Sequence, residues 1–486
     1  MPESLANPLH DLTSRIGASL DPHHVLPLLE FAETNVGSSV VGEAKLSLLK
    51  HTNMVDYAVE IYQKIGGKGE PEWSGEKRKT VMATLDTLTK GAKAFADIVG
   101  DSSKKKELVQ GNNWSVQGLD KSVGVKADAI ENYRKLAKFQ YECGDYETAY
   151  NMLENYLSLF VPQQKGSQGG DSAVDTADDY SGSANNNNMS ANAKNMPAFG
   201  LTDITATLHG VLWGKLSCLI LMGKWDEAMV ALNAVKYSID VRSGAEGGLS
   251  ALQSLKERTW LLHWGLFVFW NNSKKGLDAI IDLYMQDKNI QAIQTNAPHL
   301  LRYLASAIII NKRKRANLKD LVKFINHCDY ADPIIQFVDC LYVKFDFEGA
   351  QQKLQACESV LATDFFLHNQ TKLFMEEARV FIFENYCRIH QKIDIATLAE
   401  KLSMQPEDAE RWIVDLIRNA SLDAKIDSTE NCVIMGHTTH SVYQQVINKT
   451  KDLTARSGNL TNNFKSYLGD VREKERRERE AAREME

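Results

Sequence analysis

Apolar residues recur along most of this 486-residue chain at i, i+3, i+4 and i+7. That period belongs to α-helices with one face turned inward, and it excludes a fold built on alternating strands. Only ten prolines interrupt it. The densest case lies between Leu252 and Trp270, where Leu252, Leu255, Trp260, Trp264 and Phe267 fall near one stripe and other apolar residues fill in around them. A helix apolar nearly all round is expected to be buried, with its tryptophans serving as core and not as a ligand site. Its central run, Trp260 to Trp270, contains His263 and is too short to span a bilayer, so no membrane association is expected.

Four places share a short pattern of an apolar residue, an acidic residue, any residue and alanine. They are Val55-Asp56-Tyr57-Ala58, Tyr146-Glu147-Thr148-Ala149, Trp225-Asp226-Glu227-Ala228 and Phe347-Glu348-Gly349-Ala350. Two follow a glycine turn, at Gly144-Asp145 and Gly223-Lys224. Each stands between two helical patterns, as in a helical hairpin whose apolar residue plugs the gap and whose alanine lets the helices approach. Tetratricopeptide-type repeats use these devices. The spacings of 91, 79 and 122 residues are irregular. The expectation is therefore a mainly α fold, a degenerate tetratricopeptide-like α-solenoid with unmarked helices between the marked hairpins.

The character changes in three places. Residues 162–200 are rich in Gly, Ser, Asn, Ala and Asp, and have almost nothing large to bury, so a disordered insert is expected there. Residues 99–126, with Lys104-Lys105-Lys106 and several glycines, lean weakly the same way. After Ile389, an extended piece at Lys392-Ile-Asp-Ile precedes a short helix over Thr397 to Leu402, a turn at Ser403 to Pro406, and a second helix marked by Ala409, Trp412, Ile413, Leu416, Ile417 and Ala420. Two short strands follow, Ala424 to Ile426 and Cys432 to Met435. This order predicts a winged helix. The resulting division is 1–160 and 201–388 as helical repeats around the 161–200 insert, 389–440 as the winged helix, 441–470 as a C-terminal helix, and 471–486 as a charged tail. The tail pairs Glu473 with Arg477 and Glu475 with Arg479, and reads as a solvated single helix.

Hydrophobic residues make up 43% and the net charge is −7, which excludes global disorder and a surface that binds nucleic acid all over. Seven cysteines, an odd number with no C-x-x-C pair, point to reduced thiols in a cytosolic or nuclear protein. The first residues show neither a basic start nor an apolar core, so no signal peptide is expected. A phosphate-binding loop, H-E-x-x-H and G-x-S-x-G are all absent. His437 and His440, and the pair His23-His24 beside Pro22, read as turn or loop histidines. No catalytic residue, cofactor or metal is expected.

The second helix of the winged helix carries Glu407, Asp408, Glu410 and Asp415 against Arg411 and Arg418. An acidic recognition helix repels phosphate, so the module reads as a protein-interaction element and not as a DNA reader. Its wing offers an open edge for strand pairing, placing Val433, Ile434 and Met435 among the candidate interface residues. Val442, Val446, Leu453, Leu460, Phe464 and Leu468 on the last helix complete that set. The basic run Lys312-Arg313-Lys314-Arg315 is the candidate RNA contact or nuclear import signal, set against a solvated helix–helix turn, the more usual role of a short basic run at a surface.

Several strings carry a resemblance. They are Asn53 to Ala58, Ala137 to Gly144, Gln253 to Trp264, Pro298 to Tyr303 and Ala409 to Ala420. They resemble the e-subunit family of eukaryotic translation initiation factor 3, whose members end in a PCI domain, a helical-repeat array closed by a winged helix. The likeness covers roughly residues 9–64, 130–160 and 205–450. It implies a cytoplasmic, non-catalytic scaffold whose C-terminal helix joins a bundle with other subunits. Subunits a, c, d and l, the small ribosomal subunit, and also the cap-binding scaffold protein and mRNA are its implied partners. A scaffold subunit of a proteasome-lid or signalosome complex shares the same fold and is the alternative. The 162–200 insert, Gln405 at an expected Ser/Thr cap and the charged tail depart from the family pattern.

Overall fold

Asp21 accepts the His23 N–H at 3.0 Å and Pro22 takes the first helical position, and so the second helix of the chain begins where a loop was expected. The computed structural model describes residues 11–160 except 68 and 112, 205–390 except 245–247, 273–274 and 329, and then 392–395, 411, 414, 424–427, 432–435 and 442–484. In chain order the helices are α1 (Thr13–Gly17), α2 (Pro22–Val36), α3 (Ser38–Leu49), α4 (Val55–Lys64), α5 (Glu72–Gly100), α6 (Ser102–Gln110), α7 (Val116–Val123), α8 (Ala127–Cys143) and α9 (Tyr146–Ser158). There follow α10 (Ala206–Leu221), α11 (Trp225–Gly244), α12 (Ala251–Asn271), α13 (Gly276–Tyr284), α14 (Asp287–Asn296) and α15 (Leu301–Ile310). Then come α16 (Leu318–Asn326), α17 (Pro333–Asp339), α18 (Phe347–Thr363) and α19 (Thr371–Ile389). Residues Met1–Ile382 form one compact unit and Phe383–Glu486 a second.

In the first unit, each of the four short motifs opens a helix, α4, α9, α11 and α18, and each of these packs on the helix before it. The four motif alanines, Ala58, Ala149, Ala228 and Ala350, are all fully buried. Two of these helices are capped by an aspartate: Asp145 accepts from Thr148 N–H and Asp346 from Gly349 N–H. The segment 99–126, expected to be loosely structured, is helical. Asp101 caps α6 and Ser115 caps α7, and Trp114 between them is buried against Phe95 with its indole N–H on Ser158 Oγ at 2.9 Å.

Helix α12 corrects the tryptophan reading in part. From Leu261 to Trp270 it is buried on nearly every side, but Leu252 in its first turn and Trp260 near its middle are exposed. The entry half of the helix lacks a neighbour on one side, and the apolar stripe does not reveal this.

The helices α1 and α2 are not an appendage. Leu12, Ile16, Val25, Leu28 and Leu29 are buried, and α2 meets residues far along the chain. His23 Nδ1 lies 3.0 Å from Tyr146 Oη, and Tyr141 Oη donates to Asp21 at 2.8 Å. His24 reaches Ser217 at 3.0 Å and stacks edge-on against Trp264. At the other end Phe31 packs on Phe365 and His368. One 15-residue helix thus ties α8–α10, α12 and the α18–α19 connection together.

In the second unit, three strands form an antiparallel sheet in the order β1-β3-β2: β1 (Lys392–Asp394), β2 (Ala424–Asp427) and β3 (Cys432–Met435). Ile393 pairs with Val433, and Ile426 pairs with Val433 from the other side. This is the wing and flanking strand of the expected winged helix. Its two helices fall outside the described residues apart from Arg411 and Val414, both helical. The insert at 162–200, Gln405, His437 and His440 also lie outside them. The last element, α20 (Val442–Glu484), runs without a break through the tail, so the boundary drawn at 470 marks a change of composition and not of structure.

Candidate protein-interaction site

Helix α20 is 43 residues long, or about 65 Å at 1.5 Å per residue. Along it Val446 (56% exposed), Leu453 (64%), Leu460 (59%) and Tyr467 (66%) stand seven residues apart. Tyr443 and Phe464 lie three residues ahead of Val446 and Tyr467 and are also exposed. Written as heptads, Tyr443, Thr450, Ser457 and Phe464 take position a, and Val446, Leu453, Leu460 and Tyr467 take position d. Ile447 and Leu468 extend the apolar face at both ends, while the middle narrows to the two leucines.

The narrow middle is not polar in effect. Thr450 donates its hydroxyl to Val446 O at 2.7 Å, Thr454 to Thr450 O at 2.8 Å and Thr461 to Ser457 O at 2.8 Å. Each hydroxyl is satisfied on its own helix, which leaves the methyl group to face outward. With Leu453, Ser457, Gly458 and Asn462 these threonines line a shallow notch along one side of the helix. Lys449 and Arg456 flank the seam at the g positions, where a partner helix usually sets opposite charges.

Of the residues singled out from sequence, Val446, Leu453, Leu460, Phe464 and Leu468 stand on this exposed face. Val442 opens the helix. Tyr443, Ile447 and Tyr467 belong to the face but not to that set, although a strict seven-residue count finds the first and last of them. On the sheet, Ile434 is 42% exposed and Met435 is the last residue of β3. Val433 is a correction: it is fully buried, because it sits between Ile393 and Ile426 on the central strand and points away from Ile434. It belongs to the core of the wing and not to an outward face.

The basic run forms a 3-10 turn between α15 and α16. Lys314 is paired with Asp282, and the adjacent Asn311 donates to Asp278 at 2.7 Å. That turn is thereby tied to α13, and its lysine at 314 is already engaged. The side chains of Lys312, Arg313 and Arg315 lie outside the described residues.

The buried ionisable groups of the first unit hold the fold together. Arg302 donates to Asp332 at 2.5 Å and to Asp364 at 3.1 Å, and Tyr303 donates to Asp364 at 2.8 Å. Burial disfavours the guanidinium charge, but the two carboxylates more than offset this and raise its pKa. A cavity of about 10 Å³ beside them, lined by Asp11, Thr13, Leu28 and Asp364 among others, has room for one water. His263 Nδ1 donates to Thr259 O at 2.7 Å, so its Nε2 accepts from His299 Nε2–H at 2.9 Å. Burial lowers the pKa of His263 to about 4, and burial with the neighbouring His263 and arginine charges lowers that of His299 to about 3. Among the described residues no cluster of three or more His, Cys, Asp or Glu is placed to hold a metal ion, and no helix is long and apolar enough to cross a membrane.

Comparison with known proteins matches residues 11–140 to the eIF3 subunit 6 N terminal domain and residues 354–437 to the PCI domain. Over 478 residues the chain is 39% identical to the E subunit of eukaryotic translation initiation factor 3 from Arabidopsis thaliana, covering 95% of this chain and 97% of that one. It is 40% identical over 461 residues to the protein of the same name from Bombyx mori, covering 93% and 94%. The relative from Culex quinquefasciatus is 38% identical over 457 residues.

Proposed function

Because the chain belongs to the E-subunit family of eukaryotic translation initiation factor 3, we propose that it is a non-catalytic scaffold subunit of that factor, anchored in it through α20. The observation that carries this reading is the exposed heptad face of α20. Eight large apolar side chains at 46–83% exposure on one helix call for a partner. A knobs-into-holes seam takes another helix, and its wider ends suit a bundle of more than two. The partner helices would bring bulky apolar residues to the notch at Ser457-Gly458 and acidic residues opposite Lys449 and Arg456.

On this reading the protein works in the cytoplasm and its neighbours are other subunits of the factor, with a, c, d and l foremost. Strand pairing at the outer strands of the winged-helix sheet, β1 and β2, would add further contacts. The assembly rests on the small ribosomal subunit and supports mRNA recruitment, with the cap-binding scaffold protein as a further contact. The basic turn at 312–315 is a weaker RNA candidate, since Asp278 and Asp282 sit beside it. Family membership disfavours a proteasome-lid or signalosome role for the same architecture.

The test is a chain carrying Val446→Asp, Leu453→Asp and Leu460→Asp together, purified by tag under RNase treatment. The expected result is a loss of co-purifying initiation-factor subunits by at least tenfold, with the thermal transition of the first unit unchanged. Full retention of those subunits would remove α20 as the anchor.

A further inference from the structure

Helix α20 is the longest of the described helices, and every residue from 449 to 469 is exposed. Over that stretch its own backbone bonds and the helix preferences of its residues must hold it, because burial does not. The centre is poorly supplied with such preferences. Ser457, Gly458, Asn459, Thr461, Asn462 and Asn463 leave Leu460 as the one strong helix former in seven successive positions. Glycine carries the largest backbone entropy cost there. A Cβ at Gly458 would meet nothing within 4 Å, so no close approach among the described residues calls for a glycine. The hydroxyls of Thr450, Thr454 and Thr461 bind carbonyls one turn back, a bond that favours bending.

The same residues spell an end and a new start. Gly458 two positions after Arg456 is the pattern of a helix C-terminus, and Asn462-Asn463 ahead of Phe464 is that of an N-terminus. On either side the sequence suits a helix better. Lys449, Lys451 and Arg456 stand where cations favour a helix end, and the stretch after Val471 is rich in Glu, Arg and Ala. Helix α5 shows what a supported long helix looks like. It is largely exposed from Lys79 to Lys90, but that stretch holds neither glycine nor asparagine, and buried Ser74 on one side and Ala92, Phe95 and Ile98 on the other fix its two ends.

We propose that residues 457–463 are a folding hinge: in the unassembled chain α20 divides there into two helices, and the partner that packs on Leu453 and Leu460 makes it continuous. This rests on the scaffold reading above and adds a folding step to assembly. The full seam then exists only on a partner that spans both halves, which disfavours helices that match one half alone. The test compares the full chain with two double variants, Asn459→Ala with Asn462→Ala and Asn459→Gly with Asn462→Gly. Both positions lie on the back of the heptad, at c and f, so the seam is kept while the cost of forming the centre changes. Titrated against the purified remaining subunits of the factor, the alanine pair is expected to associate about fivefold more tightly than the parent, and the glycine pair about threefold more weakly. Amide hydrogen exchange in the free chain is expected to be faster within 457–463 than in the turns on either side, with protection gained there on assembly. Equal affinity of the alanine pair and the parent would overturn the proposal, as would free-chain exchange no faster at 457–463 than in the flanking turns. If the unaltered chain fails to associate, the scaffold reading falls, and the exchange profile of the free chain then decides the hinge by itself.

Discussion

Helices α2 and α20 carry similar sequence signals and have opposite fates. Helix α2 has 15 residues, with two histidines in its first turn and a proline at 27, and reads as the less convincing helix of the two. Yet Val25, Leu28, Leu29 and both histidines are buried: Val25 and Leu29 pack on Val41 and Ala44 of α3, and the histidines meet Tyr146 and Ser217 far along the chain. Helix α20 has 43 residues and a clean heptad, and its apolar side chains from Tyr443 to Leu468 stand exposed. Apolar periodicity declares that a helix has a face to cover. It does not declare whether the cover lies in the same chain.

The sharpest way to press this comparison is at the ionic staple beneath α1 and α2. Asp332→Ala leaves Arg302 buried with one carboxylate fewer and removes the cap of α17. It should cost about 3–5 kcal/mol, read as a shift of the urea unfolding midpoint. A midpoint within error of the parent would mean that the staple contributes little to stability beneath α1 and α2.

Next comes the packing itself. Leu29→Ala, at a fully buried position, should cost about 2–5 kcal/mol in the same assay. A loss below about 1 kcal/mol would show that α2 is a loosely attached strap and would erase the contrast with α20.

A third test uses acid. His24 and His263 are lowered to about 4 and His299 to about 3, chiefly by burial, against an unfolded value of 6.5. The unfolded chain therefore binds more protons below pH 6.5, and stability falls as pH drops from there towards 4 and 3. Above that range these groups contribute their full share. Urea midpoints followed from about pH 7 to about pH 4 should decline steadily in the parent and less steeply in His299→Gln. An identical decline in the two would assign the acid sensitivity to other groups.

The smallest expected effect completes the contrast. Leu460→Ala in the isolated chain should change stability by no more than about 0.5 kcal/mol, since the side chain is already in solvent. The same substitution should weaken assembly with the initiation-factor subunits. A destabilisation above about 1 kcal/mol in the isolated chain would mean that α20 finds its cover within its own molecule.

Much of the fold and of the candidate site is legible in the sequence, and the failures have physical causes. The four alanine motifs mark helix starts correctly because a buried alanine at a close crossing is a local requirement with a short signature. The segment 99–126 looks loose in sequence, but its caps, Asp101 and Ser115, count for more than its glycines and lysines. The His23-His24 pair reads as a loop although Asp21-Pro22 is a start signal; polar residues in a first turn look solvated until a partner such as Tyr146 or Ser217 is brought up to them. Val433 reads as outward because a four-residue strand does not state which of its two sides is inward. The exposed heptad of α20 is largely readable, and Tyr443 and Tyr467 drop out only when helical turns are counted loosely instead of in sevens.

The sequence by itself determined that the chain is helical, that it is punctuated by hairpins at four places, that it ends in a winged-helix pattern and an amphipathic helix, and which family it resembles. These follow from period, caps and turn residues, all of which act within a few positions along the chain. Only the tertiary structure decided that α2 is a central tie and that Arg302 is shared between Asp332 and Asp364. Those features depend on residues dozens to hundreds of positions apart meeting in space, and no local pattern encodes which distant neighbour a given face will find.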